Sequence, residues 1–311
     1  MKNYVSLGKS DVKAHPIGLG SNAVGGRNIF PNVSDEEGRN IVRAALESGI
    51  TMLDTAFSYG PRYSEEIIGE VVQEYKREDV VIATKAAHKY TDEKEQNYVF
   101  DNSPAFLKQS VEESLRRLKS DYIDLFYIHF PDEDTPKDEA VGALHDLKLE
   151  GKIRAIGVSN FSFKQLKEAN KDGYVDVIQS EYNLLKRSAE KDFLPYAVEN
   201  QITFIPYFPL ELGLLTGKYH EKSTFNDFRA QMPNFQGSAF KKNLQKVEEL
   251  REIATSKEEE VAHIVLAWYL TQKTIDVIIP GAKRIEQVKG NIRAAEIQLT
   301  DDEVAKINSI F

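Results

Sequence analysis

The chain has 311 residues, 41% hydrophobic and 29% charged, enough for a packed core and too apolar for a disordered protein. Forty basic against 49 acidic side chains leave a net charge of −9, the wrong sign for a surface that grips nucleic acid or anionic membrane. The absence of cysteine excludes disulfides, thiolate catalysis and Cys-containing zinc sites. With no apolar leader at residues 1–6 and no 18-residue apolar run, a soluble cytoplasmic protein is expected.

Residues 4–7 and 8–11 read as a hairpin. Eight short apolar runs follow, at 17–19, 52–56, 80–85, 123–129, 155–159, 177–180, 203–207 and 276–280. Most are rich in Ile and Val, as parallel strands buried on both faces should be. Helix signals alternate with them. Ser34-Asp35-Glu36-Glu37 predicts a capping box ahead of a helix with Ile41 and Ala45 inward, stopped at Gly49. Ser103-Pro104 predicts an N-cap and first-turn proline, followed by the stripe Leu107, Val111, Leu115 and Leu118. Thr135-Pro136 repeats the signal before Val141 and Leu144, with Gly151 past the end. Ser162-Phe163-Lys164-Gln165 and Thr300-Asp301-Asp302-Glu303 are further capping boxes. Residues 210–237 form a long irregular segment, and a helix is expected from about Phe240. A doubly wound sheet is one closure of such a pattern. Eight βα units in one chain of this length favour a single-domain (β/α)8 TIM barrel over residues 1–311. The N-terminal hairpin would plug its lower end, and a long loop would follow strand seven.

Several motif matches fail on context. Gly18-Leu19-Gly20-Ser21-Asn22-Ala23 fits the dinucleotide fingerprint, but Val24-Gly25-Gly26 and Pro31 follow where a helix should open. Gly213-Leu214-Leu215-Thr216-Gly217-Lys218-Tyr219 is one residue short of a P-loop, with Tyr in place of the Mg²⁺-binding hydroxyl. The six histidines form no H-E-x-x-H pair, so no metal site is expected. Asn32-Val33-Ser34 and Asn160-Phe161-Ser162 are chance glycosylation matches in a cytoplasmic protein, and no G-x-S-x-G occurs.

In a barrel, chemistry belongs to the C-terminal ends of the strands. Those ends deliver Asp54 and then Tyr59, Lys85, His129, Ser159-Asn160, Gln179, Tyr207 and the loop Pro280-Gly281-Ala282-Lys283-Arg284. Asp54 and Lys85 each end an apolar run, and a buried charge is costly without a partner, so the two should pair. Leu53-Asp54-Thr55-Ala56 with Tyr59, Thr84-Lys85, Ile128-His129 and Gly157-Val158-Ser159-Asn160-Phe161, in that order, resemble the aldo-keto reductase superfamily. Ile17-Gly18-Leu19-Gly20 with Asn22–Gly26, and 213–219, look closest to bacterial inositol-operon (IolS-like) members.

The resemblance implies a barrel that holds NADP(H) without a Rossmann domain and reduces small-molecule aldehydes or ketones. It places the catalytic groups at Asp54, Tyr59, Lys85 and His129. Cofactor contacts would fall on Gly20, Ser21, Asn22, Ser159, Asn160, Gln179 and Tyr207, on Pro209, Leu210, Gly213 and Lys218, and on Gly281, Lys283, Arg284, Gln287 and Asn291. Lys289 and Arg293 would add positive charge at the adenosine end. Asn22 and Phe130 stand where Trp is frequent, so the substrate pocket should differ from the common pattern, and Phe208, where Ser or Asn is usual, should weaken one polar contact to the cofactor. That pocket would be built from loops around Phe57, residues 88–100, Phe130 and 210–237. In the implied chemistry Lys85 lowers the Tyr59 pKa, Asp54 keeps Lys85 protonated, and His129 Nε2 donates to the carbonyl oxygen. A cofactor-binding sensor on the same fold and a Schiff-base role for Lys85 are the alternatives. A monomer is the default expectation.

Overall fold

The computed structural model describes residues 4–30, 32–92 and 97–311. The expected leader-free start at residues 1–3, Pro31, and 93–96 of the expected pocket loop lie outside the described residues. Chain order begins with the hairpin β1 (Val5–Ser6) and β2 (Lys13–Ala14), then β3 (Leu19–Gly20), α1 (Asp35–Glu47), β4 (Met52–Asp54) and α2 (Tyr63–Val72). It continues through β5 (Val81–Ala86), the pair β6 (His88–Asp92) and β7 (Asn97–Phe100), α3 (Pro104–Leu118), β8 (Ile123–Ile128) and α4 (Lys137–Leu149). After these come β9 (Ile153–Ser159), α5 (Phe163–Ala169), β10 (Val177–Glu181), α6 (Phe193–Glu199) and β11 (Thr203–Tyr207). Helices α7 (Gly237–Ser256), α8 (Val261–Thr271), α9 (Ile285–Arg293) and α10 (Asp301–Ile310) complete the chain.

Seven strands form one parallel sheet in the order β11-β10-β9-β8-β5-β4-β3. The expected eighth strand, 276–280, is reduced to parallel bridges, Ile17 to Ile278 and Gly20 to Gly281. Pro280 has no N–H to donate, which cuts short a run whose Val-Ile-Ile composition reads as a full strand. Those bridges join residues 278–281 to the β3 side of the (β/α)8 barrel, and α1 packs on α9 in the outer ring. The core has two layers. Ile82, Phe126, Ile128, Ile156, Val158 and Ile178 face outward against Leu107, Val111, Leu144 and their helical neighbours. Met52, Ala83, Leu125, Tyr127, Ala155, Val177, Ile205 and Ile279 face the axis and pack on Val5, Leu7, Val12 and Ala14 of the hairpin. The hairpin is thus the plug, and the Gly8 amide donates to Thr203 Oγ1 at 2.8 Å to fix it. Gly157 makes room for the Tyr127 ring: a Cβ there would stand 2.3 Å from Tyr127 Cδ1.

The capping boxes at Ser34/Glu37, Ser162/Gln165 and Thr300/Glu303 all form, and Ser103 accepts from the Phe106 amide. Thr135 does not cap α4. Pro136 takes that place without a side-chain cap, and the Thr135 hydroxyl donates to Asp132 Oδ2 at 2.7 Å. The segment expected to be irregular contains 3₁₀ turns at Glu211–Thr216, Phe228–Gln231 and Pro233–Phe235. Its Leu214 and Phe235 pack with Phe240 in a small core of their own, and α7 starts three residues earlier than expected.

Candidate active site

Side chains alternate across a strand, so axis-facing parity recurs every second residue. Counting on from Met52, Ala83, Tyr127, Ala155, Val177 and Ile205 leads to Asp54, Lys85, His129, Ser159, Gln179 and Tyr207 at the upper rim. Six strand ends therefore aim polar groups at one place. The Lys85 ammonium donates to Asp54 Oδ1 at 2.5 Å and to the Thr55 carbonyl at 2.7 Å. Gln179 Nε2 donates to Asp54 Oδ2 at 2.9 Å. Lys85 is 0% and Asp54 2% exposed, so the expected pair is sealed from water. Lys85 Nζ stands 5.4 Å from the centroid of the Tyr59 ring, which meets the His129 ring edge-on at 6.1 Å. Tyr59 itself stays partly open to the rim.

Burial and charge act against each other on these groups. Burial raises the Tyr59 pKa, the Lys85 charge opposes it, Asp54 adds to it, and the net direction is up. Lys85 lowers the phenol's pKa as expected, but the net shift is opposite to the expected one because desolvation dominates. Burial would lower Lys85, but Asp54, Tyr59 and hydrogen bonding more than offset it and hold the ammonium protonated. His129 is pushed well below the ordinary imidazole range by burial, then by the charges of Lys85 and His88, and is neutral at pH 7. The Ser58 hydroxyl makes a long contact, 3.5 Å, with His129 Nδ1.

Beside this group, Asn160 Nδ2 donates to the His129 carbonyl at 3.0 Å and to Ser159 Oγ at 3.1 Å. Its Oδ1 accepts from the Tyr207 hydroxyl at 2.9 Å, with Asn160 at a left-handed φ of 61° that Asn tolerates better than most residues. The three cofactor candidates Ser159, Asn160 and Tyr207 are thus joined to His129, and Gln179 to Asp54. Across the seam, Gly20 pairs with Gly281, the buried Ser21 amide donates to the Asp54 carbonyl at 2.9 Å, and Asn22 Oδ1 lies against Gly281. Phe208, at φ 53°, stands edge-on to Tyr207 at 5.1 Å. The Pro209 carbonyl accepts from Tyr269 at 3.0 Å, and the Leu210 carbonyl from the Gly213 amide at 2.9 Å. Gly213 lies under Lys218 Nζ.

At the far end, Lys283 Nζ lies 3.6 Å from the centroid of Phe30, and Gln287 Oε1 accepts from the Lys283 amide at 2.8 Å. Burial, then Arg229 and Lys218, lower the Lys283 pKa, with Asp227 opposing. Lys283 thus sits in the positive field of Arg229 and Lys218, which Asp227 partly offsets. Arg284, at the N-cap of α9, is exposed, and Asn291 is buried on the same helix. Arg293 leaves the expected basic cluster: it pairs with Glu259 at 2.7 Å.

Sequence reading placed Phe57, Phe130 and the segments 88–100 and 210–237 at the pocket without singling out the groups inside those two segments. Asp227 and Arg229, paired at 2.7 Å, come from a segment with no periodicity to mark them. His88 is 7% exposed at the start of β6 and has Tyr98, Phe100, His129 and Phe130 rings within 4.6–5.5 Å. Phe100 stacks on Phe130 at 4.9 Å, and Phe57 meets Tyr90 at 5.8 Å. These rings make an aromatic wall beside His129. The alternation His88, Tyr90 and Tyr98, Phe100 was the available signal for this hairpin.

The sequence profile of the aldo/keto reductase family matches residues 16–311. The chain is 38% identical over 313 residues to aldo-keto reductase YhdN of Bacillus subtilis, covering 99% of this chain and 93% of that protein. It is 33% identical to an NADH-specific methylglyoxal reductase of Escherichia coli, covering 96% and 94%. Among solved structures, the glycerol dehydrogenase AKR11B4 from Gluconobacter oxydans superposes with a TM-score of 0.92 at 36% identity, covering 99% of this chain and 95% of that one. A profile match from residue 16 to the last residue, with similarity of this extent in sequence and in structure, means that the chain belongs to the aldo/keto reductase family.

Proposed function

We propose that the protein reduces a small aldehyde or ketone to its alcohol with NADPH, and that Tyr59 is the general acid. The observation that carries this reading is the buried Lys85–Asp54 pair beside a phenol that stays open to the rim. When bound, the nicotinamide would supply the hydride, and the chain's own residues manage the proton and the developing charge. Tyr59 is protonated across the neutral range and passes its proton to the carbonyl oxygen as negative charge builds there. Lys85 stabilises the resulting phenolate, and Asp54 keeps Lys85 charged and aimed. Neutral His129 would carry its hydrogen on Nε2 and donate to the same oxygen, a tautomer that leaves Nδ1 free to accept from the Ser58 hydroxyl.

Ser159, Asn160 and Gln179 have the donors and acceptors to hold the carboxamide, and Tyr207 the ring to stack beside it. Gly20, Ser21, Asn22, Pro209, Leu210, Gly213 and Gly281 would border the cofactor. Lys218, Lys283, Arg284, Gln287 and Asn291 would take its phosphates and adenosine. The convergence of Lys218, Arg229 and Lys283 supports an anionic occupant there. One relative is named for NADH, so the preference for NADPH rests on Lys283 and the exposed Arg284.

Tyr59→Phe tests the acid role. It keeps the ring and should lower kcat by at least about 100-fold while NADPH affinity stays near native. Near-native carbonyl reduction by this variant would remove Tyr59 from the role.

A further inference from the structure

Tyr59 is carried on the short connection between β4 and α2, and its alignment depends on how that connection is held. Its entry is fixed from the sheet, where the Phe57 amide donates to the Lys85 carbonyl at 3.1 Å. Its exit is fixed by the helix, where the Ser64 amide donates to the Tyr59 carbonyl at 3.2 Å. The apex is gripped from another part of the chain. Asn28, in the loop after β3, donates from Nδ2 to the Ser58 carbonyl at 3.0 Å. Its Oδ1 accepts from the Gly60 amide at 2.7 Å. One planar carboxamide therefore holds the peptide groups on both sides of Tyr59.

The two loops are also in backbone contact. Gly60 has φ 67°, and a Cβ on it would stand 1.9 Å from the Gly25 carbonyl oxygen. The β3 loop is itself folded tightly, with the Arg27 amide donating to Gly25 and the Phe30 amide to Gly26, both at 2.8 Å. Asn28 is exposed and adds nothing to a core, yet both its polar ends are committed to this turn. The same turn carries Ser58, whose hydroxyl faces His129 Nδ1. A shift of the apex would move both the phenol and the group facing the imidazole.

We propose that Asn28 is a positioning residue for the proton donor, an inference that rests on the Tyr59 reading above. Misplacement of a reacting group by about 1 Å costs on the order of 100-fold, and partial loosening of the apex should cost a fraction of that. The experiment compares native protein, Asn28→Ala, Asn28→Asp, Tyr59→Phe and the double variant Asn28→Ala with Tyr59→Phe. It measures kcat and KM for one aldehyde, NADPH affinity by fluorescence titration, and the thermal midpoint. Asn28→Ala should lower kcat by about tenfold or more, with KM, NADPH affinity and the midpoint near native. Asn28→Asp keeps the acceptor for Gly60 but loses the donor to Ser58, and should fall between native and Asn28→Ala. In the Tyr59→Phe background the Asn28→Ala substitution should cost clearly less than in the native protein, because the phenol it aligns is gone and only the Ser58–His129 contact is left to shift.

Native kcat in Asn28→Ala would overturn the proposal. So would the full loss persisting in the Tyr59→Phe background, or NADPH affinity falling in parallel with kcat. Tyr59→Phe with native turnover would bring down the Tyr59 reading itself. A silent Asn28→Ala beside an impaired Tyr59→Phe would remove Asn28 alone.

Discussion

His88 offers a direct measure of how dry the aromatic wall is. Burial lowers its pKa from 6.5 to about 4, and among the described residues no carboxylate counters that shift. A folded-state pKa below the unfolded one means that acid protonates the unfolded chain first. The stabilisation present above pH 6.5 is then lost as pH falls, completely so below about 4. The full effect is about 3 kcal/mol, of which about 2 kcal/mol is expressed by pH 5. His88→Phe removes the titration while keeping a ring that suits Tyr98, Phe100 and Phe130 as neighbours. His129 and the Lys89–Asp101 pair remain in both proteins, so the difference between them reports position 88 together with its coupling to His129. Urea unfolding of the two proteins at pH 7, 6 and 5 should show the His88→Phe variant gaining about 2 kcal/mol on the native protein across the series. Parallel pH profiles would show that His88 is hydrated in solution and that the wall is open to water.

Lys85→Met should cost about 3–5 kcal/mol of stability, because Asp54 at 2% exposure loses its ammonium and keeps the neutral Gln179 donor in its place. Urea titration at pH 7 checks this, and an unchanged midpoint would contradict a sealed pair. Arg284→Ala should weaken NADPH by about 1.5–3 kcal/mol and leave NADH nearly unchanged. Equal losses in parallel fluorescence titrations would rule out a 2′-phosphate contact at Arg284.

What could be read from sequence follows from how regular the backbone is at each place. Asp54, Lys85, His129, Gln179 and Tyr207 end β-type runs, and a period of two carries them to the axis once the inward residues are known. The capping boxes were equally legible, since Ser34, Ser162 and Thr300 act within four residues. Strand eight misled because Val277-Ile278-Ile279 has strand composition, whereas pairing also needs amides that Pro280 cannot give. Thr135 misled because Asp132 competed for its hydroxyl. Asn28, Asp227 and Arg229 were invisible for a different reason. Asn28 and Arg229 act on residues 10 or more positions away, and Asp227 serves chiefly to hold Arg229, so no local period marks any of them. The Tyr59 pKa was misjudged because an ammonium can be inferred from a motif, but the extent of desolvation cannot.

The hairpin plug also constrains how the protein is made. The Gly8 amide meets its partner on Thr203, 195 positions later in the chain. Val5, Leu7, Val12 and Ala14 leave the ribosome long before Ile205 and Ile279, with which they pack. The base of the barrel therefore cannot be sealed on a partial chain, and its apolar lining stays accessible until those late segments have been made. Such long-range closure makes folding slow, and the nascent protein depends on staying unaggregated until the hairpin can dock.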